Sequence, residues 1–349
     1  TCDDGVAFER THDLIKMHNN REDALDIFLS ALAASRVEPA MERRVRFHDD
    51  VLQIGSDSYK LQNYERLMLI AIGKAARPMA SAFLHQAGRS AERFEGIVVG
   101  QECADLLPVG IRTYRGGHPG PNQESLQGAE DILGTLESLS ARDLVVFLVS
   151  GGGSAMVERF LMHASLDTIS ATHKALVESG APIAAINAVR KHLSAVKSGR
   201  LAVAAAPAEQ VTLLVSDVPA GELDALSSGL TMPDRSTVED VYRIAQEYSL
   251  CALLPAPIAK AITNRLLAET PKPGDAIFTR SRWSVLLDST SLEQAAAQRA
   301  RELGWHVEVD NSCDDGPAER AAAHLLRRLR QLRDQRERIC LLSAGEVTV

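Results

Sequence analysis

Aromatic residues make up only 4% of this 349-residue chain, while alanine, valine and leucine abound and the hydrophobic fraction reaches 45%. That balance excludes a disordered chain and suits helices packed on a buried parallel sheet. Cysteine is scarce as well. The five cysteines, Cys2, Cys103, Cys251, Cys313 and Cys340, are odd in number, scattered, and form no Cys-x-x-Cys. Neither a disulfide framework nor a zinc site is indicated. No signal peptide and no run of about 18 apolar residues occurs, so no membrane span is expected and a cytoplasmic protein is the natural reading. An excess of positive charge is also missing, the formal net charge being −8. Generic nucleic-acid binding would need a basic surface. The basic run from Arg320 to Arg338 is interleaved with Glu319, Asp334, Glu337 and leucines at helical spacing, as a solvated amphipathic helix requires.

What is present is a repeated theme of short apolar strand, polar turn and helix. A helix is expected over 21–36. Continuous apolar runs at Leu67–Ile72, Gly96–Val99, Leu144–Val149 and Val211–Val215 predict strands buried on both faces. Helices are expected at 75–87, 122–139 and 183–203, and strand–helix alternation argues for a doubly wound α/β domain. A proline-rich stretch near 250–275 suggests a domain junction. The pattern then resumes with a strand at Trp283–Leu287, a helix at 291–303, a strand at 305–309, a helix at 318–337 and a strand at Ile339–Leu342. A strand followed by Gly345-Glu346 is an odd end for an α/β domain, so the second domain is expected to be cut short. The first residue, Thr1, suggests a trimmed start. The expected domains are 10–250, Rossmann-like, and 275–349, smaller and incomplete.

In an open parallel sheet, ligands bind beyond the carboxyl ends of the strands. After the first strand come Gly73 and Lys74. A lysine at a helix start opposes the helix dipole unless an anion sits before it, sharing free backbone N–H groups. After Leu144–Val149 come Ser150, Gly151, Gly152, Gly153 and Ser154, glycines useful where backbone must approach a phosphate or carboxylate closely. This segment is not a P-loop, a dinucleotide fingerprint or a nucleophile elbow. After Val211–Val215 comes Asp217, an acid placed to hold Mg²⁺ or take a hydroxyl proton, or simply to cap a turn. The loop continues through Gly221, Ser227, Ser228 and Gly229 to Thr231, small and hydroxyl residues that could meet phosphate. Asn187, Arg190, Ser194 and Lys197 fall on one stripe of the expected helix, either a cationic ligand face or a solvated one. His118 lies in a glycine- and proline-rich turn. Together these elements favour an anionic ligand and leave the reaction open.

The segments AIGKAARPMA (71–80), GGHPGPN (116–122), LVSGGGSAM (148–156), INAVRKHLSAVKSGRLA (186–202) and LLVSDVPAGELDALSSGLTMPD (213–234) resemble, in order, the glycerate 2-kinase family. WSVLLDSTSLEQAAAQRA (283–300) and LLSAGEVTV (341–349) look like the start and a strand–turn of that family's C-terminal MOFRL domain. The resemblance implies transfer of the ATP γ-phosphoryl group to D-glycerate with Mg²⁺, giving 2-phosphoglycerate, in a cleft between two domains. It implies Lys74, Asp217 and Arg190 as catalytic residues, with Asp217 as the metal residue. It implies Gly151, Gly152, Gly153 and Ser154 around substrate or phosphate and Lys197 on the carboxylate or a phosphate, and Ser150, Asn187, His118, Ser228 and Gly229 join them as candidates from their positions. A homodimer is a compatible state. The chain departs from the family at Ala220, Gly221 and Glu222, at Leu230, and at Ser198, which alters loops but spares the charged residues. Two other readings are a hydroxypyruvate reductase, against which the missing dinucleotide fingerprint counts, and a non-catalytic binder of sugar acids or phosphosugars.

Overall fold

The computed structural model describes residues 3–101, 107–108, 110–218, 221–313, 317–345 and 347, with side chains from residue 19 onward. Cys2, Cys103, Pro219, Ala220, Glu346, Thr348 and Val349 lie outside the described residues. The chain divides into two compact units, Met41–Leu286 and a smaller one that joins Thr1–Ala40 to Leu287–Val349. The division differs from the junction expected near 250–275. The proline-rich stretch packs into the larger unit, with Asp234 N–H bonded to Pro271 O, and the strand beyond it completes the larger sheet. The N-terminal helix belongs with the C-terminal segment because its apolar face has its partners there.

In chain order the elements begin with helices α1 (Asp3–Ala34) and α2 (Val37–Arg44). An antiparallel trio follows, β1 (Val45–His48), β2 (Val51–Ile54) and β3 (Asp57–Lys60). Next come β4 (Arg66–Ile72), α3 (Ala76–Ala87), β5 (Phe94–Gly100), β6 (Ile111–Arg115), α4 (Gln123–Leu136) and β7 (Asp143–Ser150). The one-turn α5 (Gly153–Met156), α6 (Leu166–Glu178), α7 (Ile183–Leu193), α8 (Arg200–Ala205) and β8 (Glu209–Val215) lead to α9 (Val238–Glu247), α10 (Ala256–Thr263) and β9 (Ser281–Leu287). The last elements are α11 (Ser289–Glu302), β10 (His306–Val309), α12 (Ala318–Arg333) and β11 (Ile339–Leu342).

The larger unit is built on a six-stranded sheet of order β6-β5-β4-β7-β8-β9, with β6 through β8 paired in parallel. Its centre follows from hydrophobicity. All eight residues of β7 and six of the seven in β4 are buried, whereas β6 at the edge is largely exposed. Met68, Ile70 and Ile72 of β4 and Val145, Phe147 and Val149 of β7 point to one face and pack with α4 residues Ile132 and Leu136. Alternation sends their neighbours to the other face, where α3 packs across β4, β5 and β7. Helices α6, α7, α9 and α10 form a second core around Leu176, Val189, Leu193, Val241, Ile244 and Ile258. This is the doubly wound α/β fold expected, in the strand order of the dinucleotide-binding sheet. The chain first runs outward from β4 to β6, then returns to β7 beside β4. The direction of winding therefore reverses between β4 and β7, the place where such sheets bind ligands.

In the smaller unit, β10 pairs in parallel with β11, and α1 packs on α11 through Ile27, Ala31, Ala296 and Ala300. Asp26 pairs with Arg299, and Trp305 Nε1 donates to Asp23 at 2.8 Å. Helix α12 carries the basic run on a mostly solvated surface, as its amphipathic spacing predicts.

Candidate functional site

The segments that leave β4 and β7 meet at the reversal point. Gly73 follows β4, and its successors are tied to the segment leaving β7. Lys74 N–H donates to Gly151 O at 2.9 Å, and Ala75 N–H to Ser150 Oγ at 2.9 Å. These amides were expected to be free for an anion at the start of α3. They instead fasten the two loops together, and Lys74 contributes its exposed ammonium group alone. That side chain has no ion-pair partner among the described residues.

The glycines beyond β7 have separate geometric reasons. A Cβ at Gly151 would collide with the Asp217 carboxylate, so this glycine lets the acid lie flat against the backbone. Gly152 sits at φ 81°, in the left-handed region. A Cβ there would reach Lys74 Cγ at 3.1 Å and His118 Cδ2 at 3.2 Å. The three-glycine run is thus where Lys74, His118 and Asp217 converge, from the ends of three different strands. All three side chains are exposed. The Asp217 carboxylate accepts no hydrogen bond from the described residues.

A strap from 226 to 230 holds the loop from below. Ser227 Oγ donates to Ser150 O at 2.6 Å and accepts from Gly153 N–H at 3.0 Å. Ser154 Oγ and Ser228 Oγ lie 2.8 Å apart. Ser227, Ser228 and Gly229 all adopt left-handed backbone, at φ 48°, 59° and 65°. For the two serines this conformation is costly, and it persists because the surroundings fix it. Backbone bonds from Ser198, Gly199 and Leu201 N–H to Ser228, Gly229 and Leu230 O zip the strap to the chain after α7. In the sequence Ser227 was expected only as one of several small, hydroxyl-bearing loop residues that could contact phosphate. Its only signal there is a pair of hydroxyl residues before a glycine.

The stripe from Asn187 to Lys197 is not a helix face. Helix α7 ends at Leu193, and the chain turns to bridge with Phe160, Ala195 N–H donating to Arg159 O at 2.6 Å. Ser198 and Gly199 then take left-handed φ before α8 begins. Arg190 stays on the helix, half-buried, and its Nη2 donates to Ser154 Oγ at 3.2 Å. Asn187 lies one turn earlier, partly exposed. Lys197, expected beside substrate, has zero exposure and donates to Glu158 Oε2 at 2.5 Å. The Glu158 carboxylate is equally buried and also accepts from Ser194 Oγ at 2.8 Å, with His173 Nε2 at 3.3 Å. Burial pushes the Glu158 carboxyl up, but Lys197 and His173 outweigh it and hold the group below the usual carboxylate range. Burial lowers His173, leaving it neutral near pH 7. Burial also pulls the Arg190 guanidinium down, with Glu158 opposing. A second buried pair, Lys191 with Asp234 at 3.1 Å, ties α7 to the segment after the strap.

Three strand ends, a glycine loop without side chains, two cations and one acid suit an anionic ligand. The family model described as "Domain of unknown function (DUF4147)" matches residues 23–263. The chain belongs to this family. A D-glycerate 2-kinase of Thermotoga maritima is 32% identical over 292 residues, covering 82% of this chain and 67% of that protein. A crystal structure of a glycerate kinase from Thermotoga maritima superposes with a TM-score of 0.78 at 29% identity, covering 95% of this chain and 75% of that one. A protein of Agrobacterium vitis with the provisional name of a hydroxypyruvate reductase is 37% identical over 233 residues, covering 66% of this chain and 51% of its own. The relatives this chain matches therefore carry two kinds of enzyme name.

Proposed function

We propose that this chain is a glycerate 2-kinase, moving the γ-phosphoryl group of ATP to the 2-hydroxyl of D-glycerate and releasing ADP and 2-phosphoglycerate. The observation that carries the reading is the meeting of Lys74, the Gly151–Gly153 loop and Asp217 at the sheet's reversal point, in a chain similar over most of its length to a D-glycerate 2-kinase. Phosphoryl transfer needs little covalent help from the protein. Positioning and cationic charge supply most of the rate. In this reading Lys74 stabilises charge on the transferring phosphoryl oxygens. Gly151, Gly152, Gly153 and Ser154 let phosphate approach the backbone, with Ser150, Ser228 and Gly229 shaping that loop. Arg190 grips the glycerate carboxylate with its planar fork, with His118 beside Gly152 and Asn187 one turn of α7 before Arg190.

Magnesium ions usually keep several waters and bind through one or two carboxylates plus substrate phosphates. Among the described residues no three His, Cys, Asp or Glu side chains form a metal cage. The exposed Asp217 carboxylate, which accepts no hydrogen bond from the described residues, fits that mode, with nucleotide phosphates completing the shell. The metal would neutralise phosphate charge, and in this reading Asp217 would also orient the attacking hydroxyl.

The sheet order also suits a dinucleotide, which a reductase would need. Gly73-Lys74-Ala75-Ala76 after β4 lacks the glycine spacing that lets a pyrophosphate settle there. A coupled ADP-release assay with ATP, Mg²⁺ and D-glycerate tests the proposal, with NADH and hydroxypyruvate as the contrast. Glycerate-dependent ADP release supports it. NADH oxidation by hydroxypyruvate without ADP release contradicts it.

A further inference from the structure

The cluster behind the glycine loop carries more charge than a structural pair needs. Glu158 is ionised, Lys197 and Arg190 are cationic, and His173 is neutral near pH 7. The sum is one positive charge. It does not rest on Lys197, which is fully buried and spends itself on Glu158 at 2.5 Å. It does not rest on a shared bridge either. Arg190 donates once, to the neutral hydroxyl of Ser154, and its buried Nε has no hydrogen-bond partner among the described residues. Leaving a buried donor of a charged group unpaired is costly. Glu158 is the nearby anion that could relieve the cost, and it is close enough to raise the Arg190 pKa. Each oxygen of Glu158 is already engaged, Oε1 by Ser194 Oγ and Arg159 N–H and Oε2 by Lys197 Nζ, with His173 Nε2 beside it.

We propose that Lys197 is a positioning residue. By saturating Glu158 it keeps Arg190 from turning inward, so that one uncompensated cationic fork remains at Ser154 for the single carboxylate of the acceptor. The inference rests on the kinase reading above and gives it a specificity element. A buried lysine that never touches substrate sets the affinity for a monoanionic hydroxy acid. Without Lys197, Glu158 becomes an unpaired buried anion beside an arginine with a free donor, and the pair closes on itself.

The test is the Michaelis constant for D-glycerate, measured beside that for ATP. Lys197→Met raises KM for glycerate about tenfold or more, while KM for ATP stays within about twofold. Glu158→Gln with Lys197→Met removes the lure together with its guard and returns KM for glycerate to within about threefold of the unaltered protein. A purely structural pair would shift both Michaelis constants together, and that result overturns the proposal. So does an unchanged KM for glycerate in Lys197→Met.

Should that variant not fold, pH supplies the same contrast. Lys197 is faced by Glu158, Arg190 and His173. Burial pulls its pKa down, Glu158 opposes and Arg190 adds to the fall. Alkaline solution therefore discharges it before an ordinary lysine, and KM for glycerate rises in the unaltered protein but not in the doubly substituted one. Equal profiles in the two proteins overturn the proposal. Two controls separate its failure from that of the reading beneath it. Absent glycerate-dependent turnover removes the kinase and the inference together. Arg190→Met with unchanged KM for glycerate removes Arg190 from the carboxylate, and the inference with it.

Discussion

Lys74 and Lys197 both drew attention in the sequence as candidate anion-binding cations, and the fold gives them opposite surroundings. Lys74 is exposed, unpaired among the described residues, and set at the reversal point of the sheet. Lys197 has no exposure and a carboxylate at 2.5 Å. A lysine after a buried strand inherits its place from the strand, so its position is predictable from the apolar run before it. A lysine after a helix depends on where that helix stops, and local spacing alone does not decide this. The exposed cation faces solvent and, in the proposed reading, ligand. The buried one faces protein, and on the inference drawn above its influence on ligand passes through Arg190.

The largest expected difference between the two is in stability. Removing one partner of a buried ion pair typically costs about 3–5 kcal/mol, while removing both is often close to neutral. Lys197→Met should lower the midpoint of chemical denaturation clearly. Adding Glu158→Gln should restore most of it, and a second drop on adding that change would break the comparison. Lys74→Ala should behave oppositely. Its stability should stay within about 0.5 kcal/mol of the parent, as for other surface changes. Its kcat/KM should fall at least about tenfold, a loss of ~1.4 kcal/mol in transition-state stabilisation. An unchanged kcat/KM would take Lys74 out of the site. The smallest effect sharpens the contrast from a region outside both. Thr237 accepts from Asp240 N–H at the start of α9, in a reciprocal capping box. Thr237→Ala should cost about 1 kcal/mol of stability and leave both Michaelis constants unaltered.

Much of the fold was legible because continuous apolar runs have few alternatives. The four strands expected in the first domain lie inside β4, β5, β7 and β8, and the elements expected beyond residue 280 match β9 through β11 within a few residues. Helix α1 begins well before the expected 21–36, at Asp3. The break after Leu193 was hidden. Ile186, Val189, Leu193 and Val196 continue an apolar stripe across it, although the chain leaves the helix to bridge with Phe160. The lone apolar-flanked Glu158 was the available hint that a buried cation lay nearby, because an acid among Met156, Val157 and Phe160 needs a partner. The convergence of Lys74, the glycines and Asp217 was readable from strand ends alone. The serine strap beneath them was not, since its unusual backbone is imposed by tertiary contacts.

The most direct test of the account is phosphorus NMR of the protein incubated with ATP, Mg²⁺ and D-glycerate. The account predicts a phosphomonoester signal matching 2-phosphoglycerate that grows with ADP and is much slower to appear with Lys74→Ala. ATP left intact, or phosphate released without a glycerate ester, would contradict it.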